Sequence, residues 1–202
     1  MNRTALIRSL AAAGLVVLMG AACSVGPPVS AAGGAPASGI SPAPWQYVPQ
    51  TPRPASAQPQ QIRIPAIGVA ATVEPVGLRP DFSMDVPRVV TDVGWYSLGS
   101  VPGQPGDAVI DGHLDGPGGG PAVFWRLDQL HVGDRIEFSM SGGGTMAFTV
   151  SSEGLMAADQ VPAGHFDTQG AARITLVTCA GAWDSGRQIY TERFVVEASP
   201  AS

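Results

Sequence analysis

The chain has 202 residues, enough for one domain of ordinary size with a segment left over. It is sparse in charged (13%) and aromatic (6%) residues, rich in Gly (26) and Pro (19), and carries a formal charge of −5 with Arg as its only basic residue type besides His. That balance argues against a helical bundle and, with no basic cluster, against a nucleic-acid partner; it favours a β-rich, turn-rich domain plus a structureless stretch.

Residues 1–23 read as a targeting segment: Arg3 and Arg8 precede an apolar run, Leu10–Ala22, that ends in small residues before Cys23. The run is short for a membrane span, which takes roughly 17–25 residues, so cleavage as a signal peptide and retention as a membrane anchor both remain open. Met19-Gly20-Ala21-Ala22-Cys23 is similar to a bacterial lipoprotein cleavage site, with Gly20 where that motif usually has a branched residue. Either route places the domain outside the cytoplasm, at the cell envelope. Residues 24–60 hold nine prolines among Ala, Ser, Gly and Gln, a composition that buries too little to fold and serves as a semi-rigid spacer.

Order is expected from Gln61 to Ala198. Ile62 and Ile64 alternate until Pro65 stops the run, and Ala70–Val76 follows as a second strand. Asp81–Val90 reads as turns and an edge. Gly94-Trp95-Tyr96 leads to the turn-rich Val-Pro-Gly-Gln-Pro-Gly, then Asp107–His113 forms a strand ending at its histidine. After a glycine-rich loop at Gly116–Pro121, Phe124, Leu127 and Leu130 recur every three residues, as in a short helix or turn. Asp134–Met140 alternates as a half-buried strand, Ser141–Gly144 is a hairpin loop, and Thr145–Val150 pairs back. Ala172–Cys179 and Gln188–Ala198 complete the set, with a Gly-containing turn after Cys179. Strands at roughly ten-residue spacing with little helix predict an all-β domain, a closed barrel or a sandwich.

Cys179 is the only cysteine of this domain, so no disulfide can form within it; it is either an inert buried residue or an employed thiol. Three side chains form a chemical set: Cys179 as nucleophile, His113 as base or ion-pair partner, and Arg193 as a cation for a developing oxyanion. Arg187 rivals Arg193 if the turn after Cys179 folds back. His131 and His165, in expected loops, are given no chemical role.

Gly112-His113-x-Asp115, Thr175-Leu-Val-Thr-Cys179 and Tyr190-x-x-Arg193 together resemble the sortases, bacterial surface cysteine transpeptidases. Ile64-Pro-Ala-Ile-Gly, Val93-Gly-Trp-Tyr, Pro105-Gly-Asp-Ala-Val-Ile and Leu127–Asp134 extend the resemblance over residues 61–198, and Cys179-Ala-Gly-Ala-Trp-Asp184 is most similar to the actinobacterial class F type. The resemblance implies a closed eight-stranded barrel with short helical connections. It also implies attack by Cys179 on a Leu-Pro-x-Thr-Gly-like sorting signal, a thioacyl enzyme, and transfer to an amine acceptor such as a cell-wall precursor, or to water.

No cofactor is implied, and no acidic cluster suggests the calcium site of some members. The enzyme is expected to act as a monomer. Thr178 and Asp115 are the candidate substrate-contacting residues, Thr178 either donating to substrate or satisfying strand backbone, Asp115 orienting the His113 loop. Asp111 departs from the family pattern, which has a small apolar residue there; alternation puts it on the face of His113, in contact with the imidazole or clear of it. An L,D-transpeptidase is disfavoured by the lack of a Ser-x-Gly-Cys stretch. A non-catalytic peptide-binding domain is disfavoured by the intact His113, Cys179 and Arg193.

Overall fold

The computed structural model describes residues 58–161 and 164–202. The expected signal or anchor, Cys23 and nearly all of the spacer lie outside the described residues. Eight strands follow in order: β1 (Pro59–Ile64), β2 (Val69–Val76), β3 (Val93–Tyr96), β4 (Asp107–Gly112), β5 (Arg135–Met140), β6 (Thr145–Ala157), β7 (Arg173–Asp184) and β8 (Ile189–Pro200). Among the described residues the only helical elements are two 3-10 turns, Pro65–Ile67 and Leu127–Gln129. No described helix is long and apolar enough to cross a membrane.

The strands close into a barrel in the order β1-β2-β3-β4-β7-β8-β6-β5, with β5 returning to β1. The all-β expectation holds, and of its two forms the closed barrel is the one adopted. Neighbours are antiparallel except β2 with β3 and β4 with β7, which are parallel. Alternation along each strand fills the interior: Ile62 and Ile64, Ala108 and Ile110, Ile136 and Phe138, Ile174 and Leu176, Val196 and Ala198 are all fully buried. Phe138 and Phe148 meet edge to face across β5 and β6 with centroids 6.0 Å apart. Phe124, Leu127 and Leu130 cap the interior with no exposure, so their spacing by three reports a 3-10 turn packed on the core.

The parallel pair β4–β7 is covered on both faces, as parallel pairs require. Ala108 and Ile110 point inward, while Asp107 and Val109 point outward and are still buried. Their cover comes from the connection after β6, whose Asp167 carbonyl accepts from the Asp107 N–H at 2.7 Å. The connection after β2, with its Leu78–Met84 bridge, supplies further wall residues on the same outer face.

One expectation is overturned. Cys179 does not end its strand: β7 continues to Asp184 and pairs with β8 out to Asp184↔Ile189. The glycine after Cys179 marks a bulge between Ala180 and Trp183, not a turn; Gly181 takes φ +77°, and the true turn lies at residues 185–188. Trp183 and Tyr190 pack edge to face on this extension, centroids 5.2 Å apart.

Candidate active site

Register sets the site. In β7, Ile174, Leu176 and Thr178 face the core, so Thr175, Val177 and Cys179 face outward. Across the ladder, Cys179 stands opposite Arg193 and Val177 opposite Val195. On the other flank, Asp111 of β4 pairs with Val177, and the chain leaves the ladder at Gly112 to present His113. Cys179, His113 and Arg193 therefore come from three adjacent strands and line one cavity of about 320 Å³. Its floor is the outer face of β4, β7 and β8. Its walls are Met84 and Val86 from the β2–β3 connection and His165 and Phe166 from the β6–β7 connection.

Each of the three is held by its own backbone environment. His113 Nε2 lies 2.9 Å from the Pro87 carbonyl. A carbonyl only accepts, so Nε2 carries the proton and Nδ1 is the nitrogen free to take one. Arg193 donates from Nη1 to the carbonyls of Glu192 (2.8 Å) and Tyr190 (3.2 Å), which fixes its plane and leaves other N–H groups unused. Cys179 is half-buried, and burial pushes its thiol above the ordinary value; Arg193 pulls it down, while Asp115 and Asp111 add to the rise.

The remaining candidates sit beside this set. Thr178 is buried and its hydroxyl donates to the Gly112 carbonyl at 2.8 Å, tying the strand of the cysteine to the strand that ends at the histidine. Asp115 accepts from the Tyr190 hydroxyl at 2.8 Å, joining the loop after His113 to β8. Arg187 lies in the 185–188 turn, where its backbone N–H donates to Asp184 at 3.1 Å; it does not line the cavity. The fold-back that would have brought it near Cys179 is prevented by the extended ladder. Asp111 lines the cavity and hydrogen-bonds neither His113 nor any other group through its buried Oδ1.

His165 was given no role by its sequence position, yet it is a wall of the cavity and pairs with Glu197 at 3.1 Å. Met84, Val86, Met156 and Phe166 are further wall residues that carry no periodic or motif signal. A second cavity of about 540 Å³ also includes Cys179 in its lining, with Leu114, Trp125, Leu155, Glu192 and Phe194. The cysteine is thus shared by two grooves. Among the described residues no group of His, Cys, Asp and Glu is arranged to hold a metal ion.

Comparison with known proteins agrees with this geometry. The Sortase domain family model matches residues 62–201. A lid mutant of Streptococcus agalactiae sortase C1 is 25% identical, with a TM-score of 0.55 over 72% of this chain and 69% of its own. Sortase C1 from the same organism is 22% identical, with a TM-score of 0.56 over 73% and 69%. Sortase A from Corynebacterium diphtheriae is 19% identical, with a TM-score of 0.56 over 72% of this chain and 61% of its own. The two structures below 25% identity bear on the fold alone. No curated protein matches. With more than half its length matched by the family model and a barrel of the same form, the chain belongs to the sortase family of cysteine transpeptidases.

Proposed function

We propose that this sortase is of the class F type and that Cys179 cleaves a Leu-Pro-x-Thr-Gly-like sorting signal between Thr and Gly. The observation that carries the reading is the pairing of Cys179 with Arg193 across one ladder, with His113 entering the same cavity from β4. The thiol rests protonated, because burial outweighs the neighbouring guanidinium. On attack its proton passes to Nδ1 of His113 as the sulfur–carbon bond forms. Arg193 donates to the oxyanion. The carbon–nitrogen bond then breaks, His113 returns the proton to the leaving amine, and the acyl group stays on sulfur. An incoming amine, or water more slowly, repeats the sequence in reverse.

Two grooves that share Cys179 suit a transferase, one for the sorting signal and one for the acceptor. Thr178 and Asp115 border the peptide in this reading. Their own bonds, to Gly112 and from Tyr190, keep the three contributing strands in register. The partners are a surface protein's sorting signal and a cell-envelope amine, and the site of action is outside the membrane.

Mass spectrometry of the protein incubated with sorting-signal peptides tests this. A thioacyl adduct is expected on Cys179, absent from Cys179→Ala, reduced by about 10²-fold or more in Arg193→Ala and within about twofold of wild type in Arg187→Ala. Full cleavage by folded Cys179→Ala, or no adduct with any peptide, would overturn the assignment.

A further inference from the structure

Asp111 stands in the floor of the Cys179 cavity and takes no part in the steps above. Its neighbours along and across the strands are apolar. It pairs with Val177, which pairs with Val195, and Val109 precedes it on the same face. Its Oδ1 is fully buried with no hydrogen-bond partner, the one such side-chain atom among the described residues. That oxygen lies over Gly94 of β3: a Cβ there would collide with it, and would also meet Pro87 and Val76. Gly94 is therefore the residue that makes room for a carboxyl at this point.

No cation partners the group. Arg79, which also lines the cavity, has its Nε on Asp85 at 3.2 Å. Burial accordingly pushes Asp111 up to about 8; Arg79 works against the rise, Asp85 and Glu74 with it. At neutral pH the side chain is a carboxylic acid, able to donate one hydrogen bond and accept others. A buried polar group left unpaired is destabilising, and an aliphatic residue would match its neighbours without that cost. Beyond its own backbone N–H, no group of the fold bonds the Asp111 carboxyl, whereas the cavity gives a ligand access to the side chain.

Position then names the ligand. The row Asp111–Val177–Val195 lies two residues from the row Cys179–Arg193 along the same strands, about 6.6 Å at the usual strand rise. An extended peptide covers that distance in two residues. Arg79 and Arg193 line the same cavity and disfavour a cationic side chain there.

We propose that Asp111 is a specificity-determining residue, exchanging hydrogen bonds with a neutral polar side chain, hydroxyl or carboxamide, about two positions from the scissile bond of the bound peptide. An all-apolar floor would take an aliphatic residue at that place. The proposal rests on the peptide-cleaving reading above and extends it to a departure peculiar to this chain.

The test uses the whole protein and a set of Leu-Pro-x-Thr-Gly peptides in which each position around the scissile bond is replaced in turn by Ser, Asn, Leu, Val or Lys. Thioacyl formation on Cys179 is followed at pH 6.5 as kcat/KM. Wild type should favour Ser or Asn over Val or Leu by about tenfold at one position, the worth of one net hydrogen bond. Asp111→Asn, which keeps a donor and an acceptor, should retain that preference. Asp111→Ala should lose or reverse it at that position while the ranking elsewhere stands. A wild-type profile with no polar preference overturns the proposal without recourse to any variant, as does a preference for Lys. An unchanged profile in Asp111→Ala, or a uniform fall across all peptides, also overturns it. Absence of any adduct in wild type overturns the underlying assignment instead, and this proposal with it.

Discussion

Ionising Asp111 would leave a carboxylate against Gly94 with no partner for its buried Oδ1, and the fold resists it. Its folded value, about 8, lies above the ordinary 3.8. Between those values the folded protein holds a proton that the unfolded chain has released. Stability from this residue is therefore complete below pH ~4, declines as pH rises, and is lost by about pH 8. Four pH units correspond to ~5 kcal/mol, a large share of the 5–15 kcal/mol that a domain usually has. The facing charges do not reverse this: Glu74 and Asp85 push the same way, and Arg79 opposes them less than burial acts. Thermal unfolding at pH 5 and pH 8 checks it. Wild type should lose several degrees of Tm on going to pH 8, and Asp111→Asn should lose far less; parallel losses in the two proteins would refute the assignment of the slope to Asp111. The carboxyl's place on the face of His113 was legible from alternation alone. That its Oδ1 is buried and unpaired was not, because the oxygen lies against Gly94 of β3, at a separation no local pattern encodes.

At the level of elements, the site depends on how the β6–β7 connection is pinned over β4 and β7. Buried Asp107 accepts from Thr175 Oγ1 at 3.0 and 2.9 Å, and Arg173 lies 3.4 Å away. Arg173 also bonds the Gly164 carbonyl, and Asp107 holds Asp167 through its N–H. Thr175→Val keeps the shape and removes the donor, so Asp107 loses its hydroxyl partner in a fully buried site. The expected cost is about 1–3 kcal/mol, seen as a lower denaturant midpoint with unchanged slope, together with faster proteolysis within 158–172. An unaltered midpoint would show that Asp107 is satisfied without Thr175. Alternation made most strands readable, including Ile62–Ile64 and Ile136–Phe138, because one face of each meets the core. It failed after Cys179, where glycine signals a turn and a bulge alike; only pairing with Tyr190 and Ile189 decides between them. That same extension places Arg193 opposite the cysteine and leaves Arg187 in the turn beyond the ladder.

For the molecule as a whole, closure gives every strand two neighbours, and β8 sits between β7 and β6. It supplies Val196 and Ala198 to the core and pairs with β6 from Ala157 to Phe148. Deleting residues 194–202 should therefore abolish cooperative folding, as open edges on β6 and β7 and two missing core side chains outweigh the usual margin. Starting the chain at Gln58 should leave Tm within about 2 °C, because all eight strands remain. A folded product from the first deletion, or an unfolded one from the second, would contradict the barrel as described; circular dichroism melts distinguish them. The parallel contact of β4 with β7 has a further consequence. Thr178 and Gly112, which bond across it, are 66 positions apart in the chain. Loop-closure entropy opposes such a contact until the strands between are in place. Until it forms, Cys179 is an ordinary thiol, with neither His113 nor the walls of the groove beside it. The assembly of the proposed site thus waits on long-range closure of the barrel, and a chain without the β4–β7 contact does not hold His113 beside Cys179.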